Sequence, residues 1–127
     1  MRSLGVDATR GTYLAQAKGH TSAWALSEPW REASPTKPLS RYDDDFLGLA
    51  ACELWRRYCP ERPSIEMLDD EMQAGYRRSM EGEGARACTH WARVWETIRE
   101  RLRPEMRTID DAAAVFSDTQ ALYDWIQ

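Results

Sequence analysis

The chain is poor in the residues that carry chemistry. Its 127 residues include two histidines and three cysteines. No apolar run approaches the ~20 residues that a membrane-crossing helix needs, and the opening MRSLGVDATRG has no apolar core of a secretory leader. No membrane segment and a cytoplasmic location are therefore expected. The cysteine count is odd, and Cys52, Cys59 and Cys88 all fall in helical patterns, so buried free thiols are expected rather than disulfides. Cys52 and Cys59 stand two helical turns apart, and Cys88-x-His90 sends its side chains to different faces. Neither is metal-ligand spacing. Nucleophilic catalysis needs a Ser or Cys beside a His that an acid orients. The two histidines, His20 and His90, come with no such arrangement. Asp69-Asp70 and Asp110-Asp111 are sequence neighbours that diverge on a helix, so they make no acid/base dyad. Gly82-Glu83-Gly84 lacks the Lys and Ser/Thr of a phosphate loop. The expectation is a protein that is not an enzyme and that uses no metal and no cofactor.

What is present suits a small helical protein. Apolar residues make up 43% and charged residues 30%, and the length fits one domain with a real core. Charge is uneven. Residues 1–42 hold six Lys/Arg against three Asp/Glu, and residues 43–127 hold eleven against eighteen. So acidic a body argues against general nucleic-acid affinity and suits a partner with a basic surface.

The two stretches flanking Gly82 organise the rest. Ile65, Leu68, Met72, Tyr76 and Met80 recur at spacings of three and four, as do Ala85, Cys88, Trp91, Trp95, Ile98 and Leu102. Each set marks one face of a helix, and the pair is expected to close as an antiparallel hairpin with both stripes buried. Ser64 is the expected N-cap of the first, with Glu66 in its first turn. The second runs over Ala85–Arg103. Gly75 sits mid-helix, where glycine costs about 1 kcal/mol against alanine, and close approach of another helix backbone is the expected reason. A preceding helix spans about Asp43–Cys59, its N-terminal end eased by Asp43, Asp44 and Asp45, with Pro60 as its stop. After Pro104, Thr108 can cap a short helix through Phe116. Ser117 or Asp118 can cap a last one, ALYDWIQ, whose abrupt stop suggests that the natural helix or protein continues.

Residues 1–42 show no sustained helical stripe. TYLAQ and TSAWALS can pair as a β-hairpin across Ala17–His20, an irregular arm being the alternative, and Ser34–Pro38 reads as an extended linker. The expected fold is thus all-α: an antiparallel helical bundle over residues 43–127, with a mostly non-helical N-terminal arm over residues 1–42.

The central hairpin resembles a tetratricopeptide unit. The shared features are Gly75-Tyr76 late in the first helix, the turn at Gly82, and Ala87, Trp91 and Val94 in the second. From Leu54 to Gln127 the pattern L-W-x-x-x-x-P-x-R-P-S-x-E-M-L-D-D-x-M-Q-x-G-Y, then A-C-x-x-W-x-x-V-W-E-x-I, P-E-M-x-x-I-D-D and D-T-Q-x-L-Y-D-W-I-Q looks like the N-terminal helical part of bacterial proteins that carry a SEC-C zinc motif. The resemblance implies a helical scaffold and no reaction. The motif's Cys-x-Cys and terminal Cys/His ligands are absent here, so no zinc site is implied.

The function expected is protein–protein interaction, as an adaptor, scaffold or inhibitor subunit. Trp, Tyr and Arg dominate binding hot spots. The candidate partner-binding residues are accordingly Trp24 and Trp30 in the arm and Tyr76, Arg77 and Arg93 on the hairpin. A small phage-type anti-defence inhibitor is one version of this reading. The alternative is a nucleic-acid-associated subunit using the basic, aromatic arm: Arg2, Arg10, Lys18, Arg31, Lys37 and Arg41 interleaved with Tyr13, Trp24, Trp30 and Tyr42.

Overall fold

Helices account for all the regular structure among the described residues. The computed structural model describes residues 9–34, 38–116 and 119–127. These form α1 (Arg10–Ala17), a 3-10 turn (Trp24–Ser27), α2 (Glu28–Ala33), α3 (Arg41–Tyr58), α4 (Ile65–Met80), α5 (Gly84–Arg101), a second 3-10 segment (Asp110–Ala114) and α6 (Thr119–Ile126). The protein is all-α, with no strand among the described residues. Arg2, positions 35–37 of the expected linker, and the expected caps Ser117 and Asp118 lie outside those residues. The chain divides into two compact units, Met1–Glu66 and Met67–Gln127, with the division in the first turn of α4.

In the first unit the expected strands are helices. TYLAQ lies in α1, and most of TSAWALS forms the 3-10 turn that leads into α2. The physical reason is the spacing of what must be buried. Tyr13 and Ala17 stand four apart, and Ala23, Leu26, Ser27, Trp30 and Ser34 recur at helical intervals, all of them buried. Pro29 sits in the first turn of α2, where its missing N–H leaves no bond unmade. Around them α3 supplies Leu47, Ala51 and Trp55. It starts at Arg41, two residues before the expected Asp43, because Ser40 caps it by accepting the Asp43 N–H at 3.1 Å. The Tyr13 hydroxyl donates to the Ala51 carbonyl at 2.6 Å, and its ring lies 6.2 Å from Trp30 and 5.7 Å from Tyr58. Burial, aided by Cys59, Cys52 and Glu66 and opposed by Arg62, pushes the Tyr13 phenol well above its ordinary value, so it stays a donor. The buried Trp30 Nε1 finds no hydrogen-bond partner among the described residues, at a cost of about 1–3 kcal/mol.

Two charged side chains tie this unit's segments together. The Glu66 carboxylate accepts from the Ala23 N–H at 2.9 Å, the Trp24 N–H at 3.2 Å and the Ser22 hydroxyl, so it caps the 3-10 turn from 42 to 44 residues away. The Arg62 guanidinium donates to the Ala17 carbonyl at 2.7 Å and the His20 carbonyl at 3.0 Å, closing the C-terminal end of α1. It also covers the Trp55 ring at 4.7 Å, and the Trp55 indole returns a hydrogen bond of 2.6 Å to the Arg62 carbonyl.

In the second unit the core consists of Leu68, Met72, Val94, Ile98, Ala112, Phe116 and Leu122. α4 and α5 meet on either side of the Gly82 turn, where Gly82 takes φ +79° and satisfies the left-handed step that ends α4. Arg78 bridges to Glu83 at 3.2 Å across that turn. Gly75 has the close neighbour expected of it, but the neighbour is a side chain. The Trp91 indole lies so near that a Cβ at position 75 would stand 2.2 Å from its Nε1. The 3-10 segment is fixed by reciprocal capping. Thr108 Oγ1 accepts the Asp111 N–H at 3.2 Å, while Asp111 accepts the N–H groups of Thr108 and Arg107 at 2.9 and 2.8 Å. Those bonds hold the Asp111 carboxyl below the usual carboxylate range.

Both close contacts are testable. Gly75→Ala gains helix propensity of about 1 kcal/mol but must displace an indole, an overpacking cost of typically 1–3 kcal/mol. We expect net destabilisation in chemical denaturation, and a stabilised variant would show that Trp91 does not rest there. Glu66→Ala should cost about 1–3 kcal/mol, since it leaves two backbone N–H groups uncapped. Glu66→Gln, which keeps an acceptor, should recover part of the loss.

Candidate functional site

The inward face of α5 is rotated from the one expected. Ala87, Val94 and Ile98 are buried and Trp91 is half-buried, while Ala85 and Cys88 are exposed and Trp95 is 50% exposed. At 100° per residue Trp95 stands roughly 70° from the centre of the buried face, on its shoulder. Cys88 stands farther round still, which corrects the expectation that all three thiols are buried. Only Cys59 is buried, with Cys52 intermediate. On α4 the stripe is buried at Leu68 and Met72 but opens at Tyr76, 46% exposed, and at Met80.

These departures leave a groove. α4 contributes Met72 and Tyr76, α5 contributes Trp91, Val94, Trp95 and Ile98, and α6 contributes Trp125 and Ile126, around a cavity of about 330 Å³. Its floor is fixed by packing. Trp91 meets Tyr76 edge-on, with ring centroids 5.5 Å apart, and its indole donates to the Met72 carbonyl at 3.4 Å. Trp125 is anchored by its indole N–H on Asp69 Oδ1, also at 3.4 Å. The walls stay open at Tyr76, Trp95 and Ile126. Large apolar side chains left half in water around a concavity mark a place for another apolar surface.

A polar cluster joins α4 to α5. Glu71 Oε1 lies 2.8 Å from His90 Nδ1 and 3.1 Å from Arg93 Nη1. Partial burial raises the Glu71 carboxyl, but hydrogen bonds and charge from His90 and Arg93 outweigh it, and the net shift is downward.

Of the sequence-stated candidates, Tyr76 alone lines the groove. Arg77 is exposed on α4 and Arg93 is held by Glu71. Trp24 is half-buried, with its ring so close on Gly48 of α3 that a Cβ there would stand 2.4 Å away, and with the Arg31 guanidinium 5.5 Å from its centroid. Trp30, 4% exposed, is core and offers no surface for a partner. Trp95, Trp125 and Ile126 were not among the candidates. Trp91 and Trp95 stand four apart, and a narrow helix face does not bury both rings fully, which is the signal that could have found Trp95. Among the described residues no group of three or more His, Cys, Asp or Glu is placed to hold a metal ion, and no helix is long and apolar enough to cross a membrane.

No protein-family model matches the chain, and neither a curated protein nor a solved structure was found to match it.

The Glu71 shift fixes the sign of a pH effect. Its folded value is depressed, so its stabilising contribution is present above the unfolded carboxyl value and is lost as pH falls through the folded one. The wild type should lose stability on acidification more than Glu71→Gln does. Parallel urea midpoints from pH 7 down to pH 3 for both proteins would contradict this.

Proposed function

We propose that this chain is a non-enzymatic protein-interaction module, an adaptor, scaffold or inhibitor subunit of the cytoplasm, and that it takes a basic amphipathic helix of a protein partner in the α4–α5–α6 groove. The observation that carries the reading is the half-exposed trio Tyr76, Trp95 and Ile126 standing over a floor whose own packing is complete. Aromatic anchors of this kind dominate hot spots, and an amphipathic helix enters a groove through side chains at i, i+3 or i+4, and i+7. Charge favours a basic occupant: residues 67–127 carry twelve acidic against eight basic residues, with Asp69 beside the groove.

In this reading α4 and α5 form a tetratricopeptide-like hairpin. Support comes from Ala87, Trp91 and Val94, the positions of that resemblance, which all turn inward, and from the likeness to the helical part of SEC-C-bearing bacterial proteins. A phage-type anti-defence inhibitor would use the same groove. The nucleic-acid alternative draws less support, because Trp24 and Trp30 pack internally and Arg31 pairs with Asp44 at 2.5 Å and Glu28 at 2.7 Å.

The test is affinity purification from the source cells with tagged wild type, Trp95→Ser, Tyr76→Ser and a control, Arg57→Ala. One defined partner, present with wild type and control and reduced at least about tenfold with Trp95→Ser at unchanged helicity, is expected, in line with the loss of a central aromatic anchor. Equal recovery with all four proteins would rule the groove out as the binding site.

A further inference from the structure

We propose that the groove is read by charge at one end: an arginine of the bound helix stacks on the Trp125 indole and pairs with Asp69, while an apolar side chain seven residues away in that helix enters beside Tyr76 and Trp95. This rests on the groove reading above and adds which partner side chain goes where. Asp69, Met72 and Tyr76 recur on α4 at spacings of three and four, so at 100° per residue they fall within about 60° of one another. One face of α4 thus carries a carboxylate at one end and a half-exposed aromatic at the other, about 10 Å or two turns apart. A helix lying along α4 meets the two with side chains at i and i+7.

Asp69 is a carboxylate with room for a new partner. It is exposed, and the Trp125 indole N–H reaches its Oδ1 only at 3.4 Å, a long bond that leaves most of its acceptor capacity unused. It forms no ion pair among the described residues, not even with Arg99, one turn beyond Trp95 on α5. Glu71, Glu81, Glu83 and Glu105 are each paired with an arginine of the same unit. The lining of the groove holds no charged side chain, so Asp69 sets the sign of the charge that suits this end. The indole bond keeps ring and carboxylate side by side. Arginine matches that pair best. Its planar guanidinium stacks on an indole and still directs N–H donors sideways to a carboxylate. Lysine is a compact, strongly hydrated point charge, and trimethyllysine has no N–H for Asp69. An aliphatic side chain there would strip water from Asp69 and return nothing.

The probes are helical alanine–glutamine peptides with leucines at i+3 and i+7 and, at i, arginine, its neutral isostere citrulline, or trimethyllysine. Each is titrated into the isotope-labelled full chain while the tryptophan indole N–H signals are followed. The arginine peptide should bind about tenfold tighter than the citrulline one, a preference that shrinks as salt is raised. Asp69→Asn, which keeps an acceptor for the Trp125 indole, should erase the preference and leave citrulline-peptide affinity and circular dichroism unchanged. Trp95→Ser should weaken both peptides alike. Equal affinities for the wild type, a preference that survives Asp69→Asn, or a trimethyllysine peptide that binds tightest would overturn the proposal, and the groove reading would stand if Trp95→Ser still weakened every peptide. Peptides that fail to bind, or bind regardless of Trp95→Ser, would sink both.

Discussion

The Trp91 indole can lie on α4 only because position 75 has no side chain. A methyl there would stand 2.2 Å from the ring. That one vacancy sets how closely α5 approaches α4, and the neighbouring geometry follows from it. With Trp91 seated, its ring edge meets Tyr76 and its N–H reaches the Met72 carbonyl. Val94 and Ile98, one and two turns on, then fall into the core with Leu68 and Met72. Trp95, on the shoulder of the same face, is left beside a cavity instead of inside a core. A helix-propensity argument sees glycine in this place only as a cost of about 1 kcal/mol. The cost is met by the burial of the largest side chain in the contact, and at roughly 25 cal/mol per Å² a half-buried indole outweighs it.

The first unit solves a different problem, which is how to order short helices. α1 has eight residues and α2 six, both below the length at which a helix holds in water by itself. α1 and the 3-10 turn that leads into α2 are each secured by a charged group from far along the chain. Arg62 bonds the carbonyls at the end of α1, and Glu66 bonds the N–H groups that lead into Trp24. Both sit at the helix end whose dipole they complement, a cation at carbonyls and an anion at N–H groups. Arg62 lies in the short connector between α3 and α4 and Glu66 in the first turn of α4, so the few residues that join those helices also fix the segments before them.

How much of this was legible in the sequence follows from where the determining contacts lie. α3, α4 and α5 each carry enough periodic apolar residues to be read directly, and their observed starts fall within about two residues of the expected ones, the usual fraying of helix ends. The helices before Ser34 were hidden because their caps, Arg62 and Glu66, are 42 to 45 residues distant, and because Tyr, Thr and Trp pull local propensity towards strand. Read for burial alone, Ala23, Leu26, Trp30 and Ser34 do carry a helical period. The candidate site was legible in part. Tyr76 stood out as an aromatic on the α4 stripe, whereas Trp95 was assigned to the core by a spacing rule that cannot tell the centre of a helix face from its shoulder. Arg93 looked like a free anchor because its counter-charge, Glu71, lies on another helix.

The two exposed apolar surfaces differ in shape, and shape decides what each can hold. The groove is concave, its floor already packed, and its open rim at Tyr76, Trp95 and Ile126 can close only over something that projects into it. The exposed side of α3 is convex and itself projects, carrying Tyr42, Phe46 and Leu49. A projecting side chain satisfies the first surface and leaves the second in water. A flat apolar face without projecting side chains covers the second and leaves the cavity of the first unfilled. The two surfaces therefore do not compete for one occupant, and a single partner that buried only one of them would leave the other apolar area still facing solvent.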